Sequence, residues 1–168
     1  GTITASGGRN TVPGIAYLNG PFFVMDGEGV IYNSGSDDPR TWKALDFIIA
    51  NSIPGAGMAI ARSLNYIIAF KEWSTEPFYD AKNAVGSPLL PYESGLTPVG
   101  CASGTSLAEI NGALIWLAQV RERGRSIYEM VGIQQKQIST PDVERILNAD
   151  DLATVHAYGI KVDGHSLY

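Results

Sequence analysis

Runs of β-branched, aromatic and aliphatic residues recur along the chain, each following an Asn or Asp at a turn. The first copy is Leu18-Asn19-Gly20-Pro21-Phe22-Phe23-Val24 and the second is Ser63-Leu64-Asn65-Tyr66-Ile67-Ile68-Ala69-Phe70. Glu109-Ile110-Asn111-Gly112-Ala113-Leu114-Ile115-Trp116 is the third, and Val162-Asp163-Gly164-His165-Ser166-Leu167-Tyr168 a shortened fourth. The anchors stand at 19, 65, 111 and 163, giving steps of 46, 46 and 52 residues. Asn or Asp beside Gly tolerates φ > 0, as tight turns between antiparallel strands require. The apolar run after each anchor is long enough for one buried strand.

A second marker follows each anchor. Polar turns at Asp26-Gly27-Glu28-Gly29, Glu72 to Glu76 and Arg121 to Arg125 lead into Val30-Ile31-Tyr32, Pro77-Phe78-Tyr79 and Ser126-Ile127-Tyr128. The anchor-to-Tyr distances are 13, 14 and 17 residues, so the hairpins agree in layout as well as in period. Gly-, Pro-, Ser- and Asn-rich stretches, Asn51 to Gly57 and Ala84 to Gly104, read as loops and connecting strands. The pattern of Ala44 to Ala50 fits a helix or a buried strand. One helix is predicted near 141–148. Thr140 is its N-cap, Pro141 its first residue, Asp142 favours its positive end, and Asn148 is its stop. Val143, Ile146 and Leu147 share one face.

About four strands per unit and a period in the mid-forties predict an all-β fold: a partial β-propeller of about three blades built from antiparallel hairpins. Hydrophobic patterning alone also allows a β-sandwich. A parallel βαβ fold is disfavoured by the single helix. The repeats are expected at about 14–58, 59–104 and 105–150, with a partial unit at 151–168, all within one propeller segment spanning 1–168. Propellers close with about four to eight blades. The chain is therefore expected to be a fragment of a longer protein, with blade edges open to a second copy.

Charge narrows the partners. Lys and Arg total 12 and Asp and Glu 17, for a net charge of −5. Non-specific attraction to DNA needs clustered cations and is not expected at this charge; sequence-specific nucleic-acid binding is not expected either. No apolar run approaches the roughly 20 residues of a membrane helix. The single Cys rules out an internal disulfide framework.

Candidate chemistry is sparse. His156 and His165 lie in the final partial repeat without a Cys or His cluster, and read as structural or surface residues rather than metal ligands. Cys101, in Val99-Gly100-Cys101-Ala102, reads as a buried inert thiol, because reactivity needs an electropositive, accessible setting. Arg121, Arg123 and Arg125 alternate around Glu122, and read as a mixed-charge hairpin tip that suits a partner contact better than a phosphate grip. Asp26, Glu28, Asp37 and Asp38 offer carboxylates for an acid/base pair or a cation, but turns explain them. Ser6-Gly7-Gly8-Arg9-Asn10 lacks the Lys-Ser/Thr ending of a phosphate loop and reads as a flexible turn. Trp42, Trp73 and Trp116 recur unevenly and read as packing residues. No catalytic, cofactor-binding or metal residue is assigned, and no cofactor is expected.

Asp37-Asp38-Pro39-Arg40-Thr41-Trp42 resembles part of the Asp-box of sialidase-type propellers. Asp37, Thr41 and Trp42 match, while Gly35 and Pro39 replace the box's Ser and Gly. In that family the box is a structural turn, so the likeness implies a hairpin within a blade and not glycosidase activity.

The order of segments resembles the packaged-DNA stabilisation proteins, or tail accessory factors, of short-tailed phages, from about Gly14 to Tyr168. Its carriers are Ala16-Tyr17-Leu18-Asn19-Gly20-Pro21-Phe22-Phe23-Val24, Thr41-Trp42-Lys43-Ala44-Leu45-Asp46-Phe47, Val99-Gly100-Cys101-Ala102, and Gly124-Arg125-Ser126-Ile127-Tyr128 with Gln137-Ile138-Ser139-Thr140. The stretch from Ile67-Ile68-Ala69-Phe70 to Pro77-Phe78-Tyr79 is similar to that family's strand pair. The resemblance implies a non-enzymatic virion protein of the phage neck or tail, made in the bacterial cytoplasm. It would seal or extend the portal DNA channel and join the portal ring to distal tail proteins, as a homo-oligomer in the longer protein. Two alternatives stand beside it: a sialidase-like glycoside-hydrolysing propeller, and a carbohydrate- or protein-binding propeller module.

Overall fold

A computed structural model describes residues 4–5 and 9–168. Ser6 to Gly8, part of the glycine-rich stretch read as a flexible turn, lie outside the described residues. Thr4–Ala5 (β1) and Arg9–Asn10 (β2) form a small pair. The first sheet is a simple meander: Ala16–Tyr17 (β3), Phe22–Met25 (β4), Val30–Gly35 (β5) and Asp38–Ile49 (β6). The second repeats it with Gly57–Ser63 (β7), Tyr66–Lys71 (β8), Thr75–Asp80 (β9) and Leu89–Pro91 (β10). In the third, Gly100–Cys101 (β11) and Ala108–Ile110 (β12) share the inner edge of Ala113–Val120 (β13). Gly124–Val131 (β14) and Gln134–Gln137 (β15) complete it. Pro141–Ala149 forms the helix α1, and Ile160–Val162 (β16) pairs with His165–Leu167 (β17). All pairings are antiparallel, and the sheets form an unclosed, partial propeller.

Turn chemistry explains the repeat. Asn19-Gly20, Asn111-Gly112 and Asp163-Gly164 each join the first two strands of a hairpin, and both residues of each pair have positive φ. The second repeat differs. There Leu64, at φ 51°, takes the left-handed position, and Asn65 is the second turn residue. The structural step between turns is therefore one residue off the Asn-to-Asn step, and one turn places a branched side chain where Asn or Gly is easier.

The core lies between sheets, not within one. Along β7 and β8 the side chains alternate between two neighbours. Ile60, Ile67 and Ala69 join Leu18, Phe23, Met25 and Ile31 of the first sheet. Ala59, Ile68 and Phe70 join Leu114, Trp116 and Met130 of the third. The middle sheet is thus covered on both faces, which is why Ile67 to Phe70 reads as an unbroken apolar run. Trp116 is fully buried, meets Phe70 edge to face at 5.0 Å, and donates its indole N–H to the Gly100 carbonyl.

Sheets meet where glycine permits. A Cβ on Gly57 would stand 2.4 Å from the Asp26 carbonyl oxygen, and one on Gly100 would stand 2.0 Å from that of Glu72. Both glycines open the first strand of a sheet over the turn between the second and third strands of the sheet before it. Ala44 to Ala50, open between helix and strand from the pattern, belongs to β6 except for Ala50. That strand is the outer edge of its sheet, mostly exposed, so neither a buried strand nor a helix describes it.

Candidate functional site

Helix α1 starts at Pro141 as its sequence signals indicate, with Thr140 in extended conformation before it. Its other end is held by Arg125. That guanidinium donates to the Leu147 and Asp150 carbonyls at 3.0 and 2.7 Å, satisfying groups a helix end leaves unpaired. Asn148 reinforces the dock, accepting from the Arg125 N–H and donating to the Arg125 carbonyl. Arg121 lies over the Trp73 ring, 5.2 Å from its centroid. Two of the three turn arginines are therefore engaged inside the fold, and the tip offers no three-cation grip.

The carboxylates are also occupied locally. Asp26 is buried and accepts from the Glu28 and Val30 amides and the Tyr32 hydroxyl. Asp37 accepts from the Tyr17 hydroxyl, which raises the Tyr17 pKa. Asp38 accepts from the Thr41 hydroxyl and the Arg40 amide, and these bonds lower its pKa. The Trp42 indole donates to the Pro39 carbonyl. Asp37 lies in the turn between the third and fourth strands and Asp38 to Trp42 open the fourth, a structural knot of the kind the Asp-box likeness implies.

Burial pushes the Cys101 thiol up to about 12, and its Sγ donates to the Ser103 carbonyl. His156 and His165 are exposed. Among the described residues, no His, Cys, Asp and Glu gather as a metal-binding group. No described helix is long and apolar enough to cross a membrane.

Among the described residues, two surfaces bear on partner or ligand contact. The first is β6, a twelve-residue strand at the edge of its sheet. It exposes Leu45 at 80 %, with Phe47 and Ile49 at about half that. An unpaired strand edge of this length is a template for another chain. The second is a cleft of about 550 Å³ between the first and second sheets, lined by Asn19, Asn65, Tyr66, Tyr79, Asp80 and Tyr92. Asn19 donates to Asp80 across it at 2.8 Å. The sequence led to open blade edges without showing that β6 forms one, and it gave no sign of the cleft. The Asn turn signal placed Asn19 and Asn65 on hairpins but could not show that the two turns converge.

A family model described as Bacteriophage P22 Gp10, beta-propeller matches residues 9–168. The chain belongs to that family. The match spans all three sheets, the helix and the last hairpin, so the described fold and the family's β-propeller coincide. As a member of this phage family the chain is a viral structural protein, in accord with carboxylates tied into turns rather than converging in a cleft. No curated protein matches it.

Proposed function

We propose that this chain serves in a phage neck or tail, where it seals or extends the portal DNA channel and joins the portal to distal tail proteins. The observation that carries the reading is the family match over residues 9–168 of a chain whose three sheets pack face to face. Face-packed blades make a stiff scaffold, and the loops and edges they display suit contact with neighbouring subunits. The four repeats act as one propeller segment. The β6 edge is its surface for other copies or for tail proteins, because β6 ends its sheet with no strand paired on its outer side and Leu45 is exposed. A net charge of −5 keeps DNA moving past such a surface rather than holding it. Location in the virion follows from this role.

Reconstitution tests the reading. The purified protein is added to DNA-filled heads that lack neck proteins, and DNA release is followed by nuclease digestion. The proposal expects binding at the portal vertex and slower DNA loss. Heads that neither bind the protein nor retain DNA longer would overturn it.

A further inference from the structure

The cleft between the first and second sheets has a composition that assembly does not require. Tyr66, Tyr79 and Tyr92 bring three rings to one wall. Tyr66 and Tyr92 lie 5.4 Å apart at 50°, and Tyr79 meets Tyr92 nearly at a right angle. Among the described residues, no protein group pairs with the three phenol hydroxyls or with the Asn65 side-chain amide. The opposite side is polar, with the Asn19 amide joined to Asp80. Past that bridge an adjoining cavity of about 350 Å³ shares Asn19 and Asp80 and reaches Asn33. Asn33 is only 4 % exposed, and its Oδ1 is a buried acceptor with no donor. An orphaned acceptor of this kind costs stability, so a ligand hydroxyl that satisfies it gains correspondingly.

Apolar ring faces on one side and amide and carboxylate groups on the other match an amphipathic, hydroxyl-rich ligand. A pyranose has a C–H face that stacks on an aromatic ring and an edge of hydroxyls that both donate and accept. The combined volumes fall in the range of small-ligand sites. Proline-rich peptides instead favour grooves between aromatic ridges. The perpendicular Tyr79–Tyr92 pair makes a corner, not a groove. Asp80 at the centre disfavours an acidic sugar.

We propose that the Tyr66–Tyr79–Tyr92 cleft, with its Asn33 extension, is a binding site for a neutral oligosaccharide. This lies outside the assembly role and stands or falls separately from it.

The test uses the full chain and an array of neutral mono- to tetrasaccharides of hexoses, 6-deoxyhexoses and N-acetylhexosamines. A sialylated trisaccharide and a proline-rich decapeptide serve as competitors of other classes. Hits are confirmed by saturation-transfer NMR. The expected result is binding of a neutral oligosaccharide, weakened at least tenfold by Tyr79→Ala and by Asn65→Ala. Tyr158→Ala, an exposed tyrosine elsewhere, should leave it unchanged. Circular dichroism establishes that the variants fold, and both substituted positions are exposed. No neutral glycan bound, preference for the sialylated probe or the peptide, or binding indifferent to both cleft variants would each overturn the proposal.

Discussion

Lys71 and Glu76 face each other across the turn between β8 and β9, with Nζ 3.7 Å from Oε1 and both side chains 3 % exposed. Most of their other side-chain contacts reach the segment that links the first sheet to the second. Lys71 donates to the Ala50 and Ile53 carbonyls at 2.7 and 2.6 Å. Glu76 accepts from the Ser52 and Ile53 amides and from the Ser74 hydroxyl. The pair thus supplies backbone partners to a linker that has no strand of its own.

Removing one member should be costly, because the other charge stays buried and linker carbonyls lose their donor. Lys71→Met is expected to destabilise the fold by about 3–5 kcal/mol, measured by urea denaturation. The double variant Lys71→Met/Glu76→Leu should recover part of that loss. A single variant as stable as the parent would contradict the clamp.

Gly100 opens the third sheet with its Cα against the backbone of Glu72 and Trp73. Gly100→Ala places a methyl where backbone, not a flexible side chain, must yield. The expected cost is about 1–3 kcal/mol. Gly112→Ala provides the contrast: nothing lies near its Cβ, so only the strain of its positive φ is felt. Urea midpoints of both variants check this, and a neutral Gly100→Ala would show that the sheets are not so closely seated.

Leu64 holds a left-handed turn position that Asn fills in two of the other three repeats. Leu64→Asn is expected to stabilise by about 1 kcal/mol, since the strain of a branched residue there is of that order. A thermal melt reads it, and a fall in Tm would mean that Leu64 contributes packing worth more than its strain.

Cys101 gives the chain a pH signature. A thiol in the unfolded chain ionises near pH 8.5, whereas burial lifts the folded value to about 12. Below about pH 8.5 both states keep the proton and this contribution is complete. Above it only the unfolded chain releases the proton, so stability falls by about 1.4 kcal/mol per pH unit until the folded thiol ionises. The advantage of the parent over Cys101→Ala in urea should therefore shrink between pH 8 and pH 10.5. An advantage independent of pH would contradict a thiol held neutral by burial.

What the sequence revealed was local. Asn111-Gly112 and Asp163-Gly164 announce their turns because the left-handed pair selects those residues, and Tyr32, Tyr79 and Tyr128 mark third strands because strand length follows turn spacing. Leu64 shows where that signal fails: the turn kept its geometry without its usual residue. The β6 strand was ambiguous because an outer edge needs no continuous apolar run. Arg125 looked like a surface charge, since its role depends on a helix that begins 16 residues later. The tyrosine cleft was hidden for the same reason. Tyr66, Tyr79 and Tyr92 come from three different segments, and only the packing of the sheets brings Asn19 beside them.

The proposed role places this protein in the phage neck or tail. Cross-linking mass spectrometry on intact, purified virions tests it most directly. Cross-links are expected from Lys43 in β6 and from Lys82, which lines the cavity beside it, to portal or tail subunits. A virion in which the protein is missing, or is linked only to capsid-shell subunits, would contradict it.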